Sequence, residues 1–338
     1  MKRTDAINLL SKWTPLRFWN ATLIGISYYI AKWFGIIAPW GRPVSLSIEP
    51  TTACNLGCPE CPSGLKQFTR ATGNLKENHF EKWLAEMKSH LVYINFYFQG
   101  EPFIHPQIIQ FIRSAHEKKI YTSTSTNAHF LNSELAKKTV ESGLDRIIIS
   151  IDGATQETYE QYRVHGSLDK VIEGTKNLIH WKKELGSSTP HIIFQFLVVK
   201  PNEHEIDTIK QIAIDLGVDE LRFKTAQVYD PRENHPLIPT NEKYSRYKKR
   251  ADGLFVLKNK MKDECLRMWS GAVITWDGKV VPCCFDKDAK HQMGDLQQQS
   301  FKEIWQNNEY QQFRKQVFKD RSSIEICSNC SEGTKVWA

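Results

Sequence analysis

From residue 43 onward, short runs rich in β-branched and aromatic residues alternate with longer stretches whose apolar positions recur every three or four residues. Few folds accept that pattern. Residues 44–49, 93–98, 120–125, 146–151, 192–199 and 220–224 read as six strands, and 77–91, 107–118, 133–142, 168–184 and 205–216 read as the intervening helices. Strand-helix repetition predicts an α/β fold with a parallel sheet and right-handed crossovers. No dinucleotide glycine fingerprint follows the first strand, so an incomplete (βα)6 TIM-type barrel is favoured over a Rossmann sheet. In either case the chemistry belongs at the C-terminal ends of the strands.

Eight cysteines stand at 54, 58, 61, 265, 283, 284, 327 and 330. No cleavable signal peptide is recognisable before them, which points to a reducing cytoplasm, where grouped thiols are metal ligands more often than disulfides. Cys54, Cys58 and Cys61 share the loop after the first strand. Three thiols leave one iron of a cubane open to a small molecule, whereas structural zinc needs a fourth donor. Residues 230–241, with three prolines, read as a linker leading into a Lys/Arg-rich connecting helix. Asp277-Gly278 centres a hairpin over 272–283, and a helix over 300–318 precedes the cysteine-bearing tail. The expected division is 1–42, an N-terminal helix; 43–229, the barrel; 230–262, linker and connecting helix; 263–338, a small hairpin-plus-helix domain that binds a cluster.

The formal charge is +7, and residues 1–42 hold Lys2, Arg3, Lys12, Arg17, Lys32 and Arg42 against Asp5 alone. The body is therefore close to neutral, which excludes a nucleic-acid-binding face and directs attention to the terminus. Thr14-Pro15 starts a helix of about 24 residues that Pro39 closes. Leu16, Trp19, Leu23, Ile26, Ile30, Trp33 and Ile37 form one apolar stripe, with Trp13 and Trp40 beside it. Tryptophans with basic flanks suit a bilayer interface, so peripheral contact at the inner face of the membrane is expected. Packing on the chain's own body is the competing reading. A spanning helix is weakened by Asn20, Thr22, Ser27 and Lys32.

C-x3-C-x2-C directly after the first strand of an incomplete barrel resembles the signature of the radical S-adenosylmethionine (SAM) superfamily. The resemblance implies that Cys54, Cys58 and Cys61 bind a 4Fe-4S cluster whose open iron takes S-adenosyl-L-methionine. Gly100-Glu101-Pro102 is similar to the family's Gly-Gly-Glu-Pro motif, with Gln99 in place of the first glycine, and implies a site for the cosubstrate's ammonium. Ser125 and Asn127 after the third strand, and Ser150 and Asp152 after the fourth, resemble segments that face the ribose and methionine. Arg163 resembles the arginine that pairs with the cosubstrate carboxylate, a task suited to a guanidinium fork.

Cys265, Cys283, Cys327 and Cys330 resemble the ligand set of the twitch domain, the short relative of the SPASM domain, and imply one auxiliary 4Fe-4S cluster; a four-sulfur zinc site is the competing reading. Cys284 is left over as a packed thiol. Four ligands saturate the auxiliary cluster, which implies electron transfer. The expected function is a radical SAM oxidoreductase that abstracts hydrogen from a C–H bond and oxidises or rearranges its substrate, with a peptide maturase as the alternative within this reading, fed by a flavodoxin- or ferredoxin-type donor. Its substrate is a peptide, a sugar or aminocyclitol, or a membrane-proximal lipid, the last favoured by the basic helix. The rival is a non-catalytic iron-sulfur scaffold or electron carrier, which has no use for Gly100-Pro102 or Arg163. Tyr97, Gln195, Lys224 and His105 stand near the barrel mouth, and none is assigned a catalytic role.

Overall fold

A computed structural model describes residues 2–228, 230–231, 235–258 and 261–330. Two helices come first, α1 (Arg3–Ser11) and α2 (Pro15–Phe34). The repeat then runs β1 (Ser45–Ile48), α3 (Pro62–Leu65), α4 (Glu77–Met87), β2 (Tyr93–Asn95), α5 (Ile108–Glu117), β3 (Tyr121–Thr126), α6 (Ser133–Glu141), β4 (Arg146–Ser150). It continues through α7 (Gln156–Tyr162), α8 (Leu168–Glu184), β5 (His191–Val198), α9 (Ile206–Leu216) and β6 (Glu220–Thr225). β1 to β6 pair in parallel in sequence order, as the alternating pattern requires. Ile94, Phe96, Ile147, Ile149, Phe194 and Phe196 are buried between this sheet and the helices, the arrangement that places strand C-termini around an open mouth.

The C-terminal part continues the same sheet. β7 (Tyr247–Lys249) and β8 (Phe255–Leu257) form a separate two-stranded ribbon, and α10 (Arg267–Ser270) leads into β9 (Gly271–Ile274) and β10 (Lys279–Val281). β9 lies parallel to β1, with Ser45 opposite Gly271 and Ile48 opposite Ile274. β11 (Gly294–Asp295), α11 (Phe301–Gln306), α12 (Asn308–Asp320) and α13 (Glu325–Ser328) complete the chain, so the hairpin extends the barrel's edge.

Three expectations need correction. The connecting helix in 242–262 is the β7–β8 ribbon, turned at Asp252-Gly253, where Gly253 has φ +85°; the Asp-Gly hairpin signal outweighs the run of helix-forming lysines. The single helix over 300–318 is two, because Asn307 is extended and its side chain accepts the Tyr310 N–H to start α12. α2 ends at Phe34 rather than near Pro39, because Gly35 takes the left-handed conformation. Parts of the linker, 232–234, and the tail, 331–338, lie outside the described residues.

The N-terminal helices pack under the barrel. Asp5 binds the Tyr121 hydroxyl and Arg146 at the starts of β3 and β4, and Lys12 pairs with Asp145 at 2.9 Å. Arg17 is buried, and its guanidinium donates to the carbonyls of Lys12, Lys88, Lys118 and Lys119. Lys88 and Lys118 are the C-caps of α4 and α5, so one cation meets the negative ends of two helices. Asn20 exchanges two hydrogen bonds with the backbone of Arg42, at 2.7 and 2.8 Å. Ile24, Tyr28 and Ala31 are buried; Tyr28 packs on Trp269 and Phe318 at 5.5 and 5.9 Å between centroids. No helix among the described residues is long and apolar enough to cross a membrane. Arg17→Ala leaves those carbonyls buried without their donor and is expected to cost about 3 kcal/mol, read as a fall in the urea midpoint at unchanged slope.

Candidate active site

Cys54, Cys58 and Cys61 lie in the loop that leaves the C-terminal end of β1, and backbone contacts grip that loop from two sides. The Gly57 N–H donates to Val164 O at 2.9 Å, and the Glu101 N–H donates to Ala53 O at 2.8 Å. Gly100 has φ +75°, and a Cβ there would lie 2.3 Å from Thr51 O and 2.8 Å from Ala53 O. Only glycine lets the two loops approach so closely. Its N–H donates to Ser63 Oγ at 2.8 Å, at the first turn after Cys61.

Glu101 is buried with both carboxylate oxygens engaged: Thr126 Oγ1 donates at 2.7 Å, Asn127 N–H at 2.8 Å and Phe103 N–H at 3.2 Å. Burial raises its pKa above the ordinary carboxylate range, and these donors oppose the rise. Pro102 starts the 3-10 turn behind it. Glu101 thus ties the β2 loop to the end of β3, leaving backbone and loop shape to face a ligand. Asn127 Nδ2 donates to Asn55 Oδ1 at 2.8 Å and so joins β3 to the cysteine loop. Ser125 is half-buried and Ser150 buried at their strand ends.

Asp152 is buried after β4; it accepts from Arg163 Nε and, at 2.7 Å, from the Leu197 N–H. The Arg163 guanidinium also reaches to 3.8 Å from Cys58 Sγ, forming a line from β5 through Asp152 to the cysteine loop. Burial pushes the Cys54 thiol up to about 12 and raises Cys58, which Arg163 partly offsets. Without metal these groups are neutral thiols at pH 7, so a metal must displace their protons. Tyr97 and Lys224, on the same side, remain exposed. His105 is buried between Leu75 O, 2.9 Å from Nε2, and the Gln107 N–H, 3.1 Å from Nδ1, and shapes its loop. Gln195 is half-buried on β5.

Cys265, Cys283 and Cys327 of the second set lie in an apolar pocket with Tyr28, Trp269, Val317 and Ile324. Cys283 follows β10, Cys265 precedes α10, and Cys327 and Cys330 lie in and after α13. Buried Arg321 donates to Cys330 Sγ at 3.1 Å and to Glu264 O at 2.8 Å. Burial pushes Cys327 up to about 11 against this cation. Cys284 packs against both this pocket and the neighbouring apolar group of Phe98, Val273, Val281 and Ala289. Among the described residues, no three His, Cys, Asp or Glu side chains converge as a single bound ion requires.

Arg321 and the Glu49–Arg70 pair escaped the sequence reading. Glu49, immediately after β1, is buried and accepts two bonds from Arg70 at 2.6 and 2.8 Å, holding the segment behind the cysteine loop. No local motif marks either arginine. The position of Glu49 at the C-terminal end of a strand was the available signal.

The Radical SAM superfamily model matches residues 48–212, and the SPASM iron-sulfur cluster-binding domain model matches 265–331. The chain is 26% identical over 313 residues to a tungsten-containing aldehyde ferredoxin oxidoreductase cofactor-modifying protein of Pyrococcus furiosus, covering 85% of this chain and 86% of that one. It is 22% identical to an AdoMet-dependent heme synthase of Methanosarcina barkeri, with 87% and 93% covered. Among solved structures, Streptococcus suis SuiB bound to S-adenosylmethionine superposes with a TM-score of 0.60 at 15% identity, over 87% of this chain and 73% of SuiB.

Gly100→Ala introduces left-handed strain and a backbone clash and is expected to cost about 2 kcal/mol. It should lower the iron recovered on anaerobic reconstitution at unchanged far-ultraviolet circular dichroism.

Proposed function

Because this chain belongs to the radical SAM superfamily and carries a SPASM-type domain, we propose that it is an oxidoreductase acting on an unactivated C–H position of a substrate held between the barrel mouth and the C-terminal cysteines. It is an enzyme whose cofactors are S-adenosyl-L-methionine and 4Fe-4S clusters. When bound, these groups supply a 5′-deoxyadenosyl radical for hydrogen abstraction and an auxiliary acceptor that relays the electron released. The observation that carries the reading is the loop of Cys54, Cys58 and Cys61 at the end of β1, gripped by Gly100-Glu101.

In this reading Cys54, Cys58 and Cys61 hold the first cluster, and Cys265, Cys283, Cys327 and Cys330 hold the auxiliary one. The backbone of Gly100–Pro102, braced by the Glu101 carboxylate, receives the cosubstrate's ammonium. Arg163, fixed by Asp152, presents its guanidinium to the carboxylate. Ser125, Asn127 and Ser150 line the ribose and methionine side. A flavodoxin- or ferredoxin-type donor supplies electrons, and residues 1–42 give a peripheral position at a membrane. Relatives named for cofactor modification, heme synthesis, peptide cyclisation and sulfatase maturation support the reaction class and leave the substrate open.

Reconstituted chain is expected to bind about eight irons, from two four-iron sets. Replacing Cys54, Cys58 and Cys61 together by Ala should leave about four and abolish 5′-deoxyadenosine formation; cleavage that survives refutes the assignment.

Replacing Cys265, Cys327 or Cys330 by Ala should leave 5′-deoxyadenosine formation measurable and stop substrate oxidation. One equivalent of zinc in the second site would overturn the relay.

A further inference from the structure

α2 is apolar on two faces, and the fold buries only one of them. The inner face, with Arg17, Asn20, Ile24, Tyr28 and Ala31, is held by the contacts described above. The outer face carries the more apolar stripe: Phe18, Trp19, Ile26, Tyr29, Trp33 and Phe34 are exposed, Trp19 by 58% and Trp33 by 68%. Eleven of the seventeen exposed large apolar side chains among the described residues lie within residues 7–40. A concentration of that kind on one surface marks an interaction site, whereas single exposed apolar residues are ordinary.

The charge around this face selects the occupant. No Asp or Glu occurs between Ala6 and Ile48. Lys12 and Arg17 are engaged within the fold, but Lys2 and Arg3 are exposed at the start of α1, and Lys88 and Lys119, whose carbonyls meet Arg17 at the start of α2, are exposed as well. At the other end of the helix Lys32 pairs with Glu264. An apolar face with tryptophans, edged by cations where α1 ends and α2 begins, matches an anionic lipid surface.

The position of the face also fixes an orientation. Asp5 contacts the first residues of β3 and β4, and Arg17 the segments before β2 and β3, so α1 and the start of α2 lie at the N-terminal ends of the strands. The Cys54–Cys61 loop leaves β1 at the opposite end, separated by the length of that four-residue strand, about 13 Å. Deepening the peripheral-membrane part of the proposed function, we infer that α1 and α2 dock the protein on an anionic bilayer with the barrel mouth turned to the aqueous phase. The enzyme then takes a water-borne substrate, not an acyl chain from the bilayer that holds it.

Reconstituted full chain mixed with vesicles of mixed phosphatidylglycerol and phosphatidylcholine is expected to sediment with them, and to do so far less with phosphatidylcholine alone. The double variant Trp19→Ser/Trp33→Ser, altered only at exposed positions, should lose vesicle binding at least tenfold while keeping its melting temperature and its 5′-deoxyadenosine formation in solution. Amide exchange on the vesicles should slow in residues 15–40 and stay unchanged in 54–67 and 152–167. Failure of the parent chain to sediment, or equal binding by the variant, overturns docking and leaves the radical chemistry standing. A dimer that the variant dissociates would give the face to a second copy and overturn the lipid assignment. Protection of 54–67 on bound vesicles would keep the docking and overturn the orientation.

Discussion

Strand β1 is hydrogen-bonded on both sides, to β2 in the barrel and to β9 in the C-terminal hairpin. Four residues, Ser45–Ile48, therefore set the geometry between the two cysteine sets. The first loop leaves the C-terminal end of β1, and Cys283 follows β10, which pairs back on β9. A one-residue slip of β9 would turn the hairpin's buried side chains to the other face and displace Cys283 with them. Trp276 reinforces the register by donating its N–H to Glu49 at 3.3 Å, and Glu49 in turn holds Arg70. Sheet and cysteine loop are consequently one rigid unit, which a radical reaction needs in order to fix a carbon against its abstracting partner.

Buried guanidinium groups recur wherever chain ends must be joined. Arg17 collects helix-terminal carbonyls under the barrel, Arg314 bonds to Met268 O and Trp305 O in the C-terminal part, and Arg163 and Arg321 each reach a cysteine sulfur. A guanidinium is suited to this because its donors fan out in a plane, stay charged at any working pH and can satisfy several fixed acceptors at once. Arg314 also lies over the rings of Tyr310 and Trp305, at 4.1 and 4.3 Å, where the aromatic faces replace part of its lost hydration.

The strands and most helices of the barrel were legible because hydrophobic periodicity is local: α8 begins and ends where the pattern did, and all six strands lie within a few residues of their expected bounds. The cysteine loop was legible for the same reason, three thiols close in sequence on a strand end. The paired states of Glu49, Glu101 and Asp152 were not, because their partners come from other segments 11 to 45 residues away. The apolar stripe was expected to run from Leu16 to Ile37 and to favour a bilayer interface over packing on the body; Ile37 falls beyond the end of α2, and which face turns inward was not legible. Arg17 and Asn20 decide it: their polar groups find fixed backbone partners under the barrel, whereas Trp19 and Trp33 need none.

The electrostatics of the mouth suit groups that bring negative charge. Lys287, half-buried, is lowered from the ordinary lysine value by desolvation, with Lys224 adding to the effect and Cys61, Glu60 and Cys284 opposing it. Burial raises the Cys54 and Cys58 thiols, and Arg163 beside Cys58 partly offsets the rise there. Thiolate ligation reverses the balance: each cysteine that binds iron contributes a negative charge, and the same lysines and Arg163 become counter-ions. Arg163 at the mouth and Arg321 at the second pocket thus favour thiolate ligation. That is the physical link between the buried arginines, the cysteine loops and the assembled enzyme.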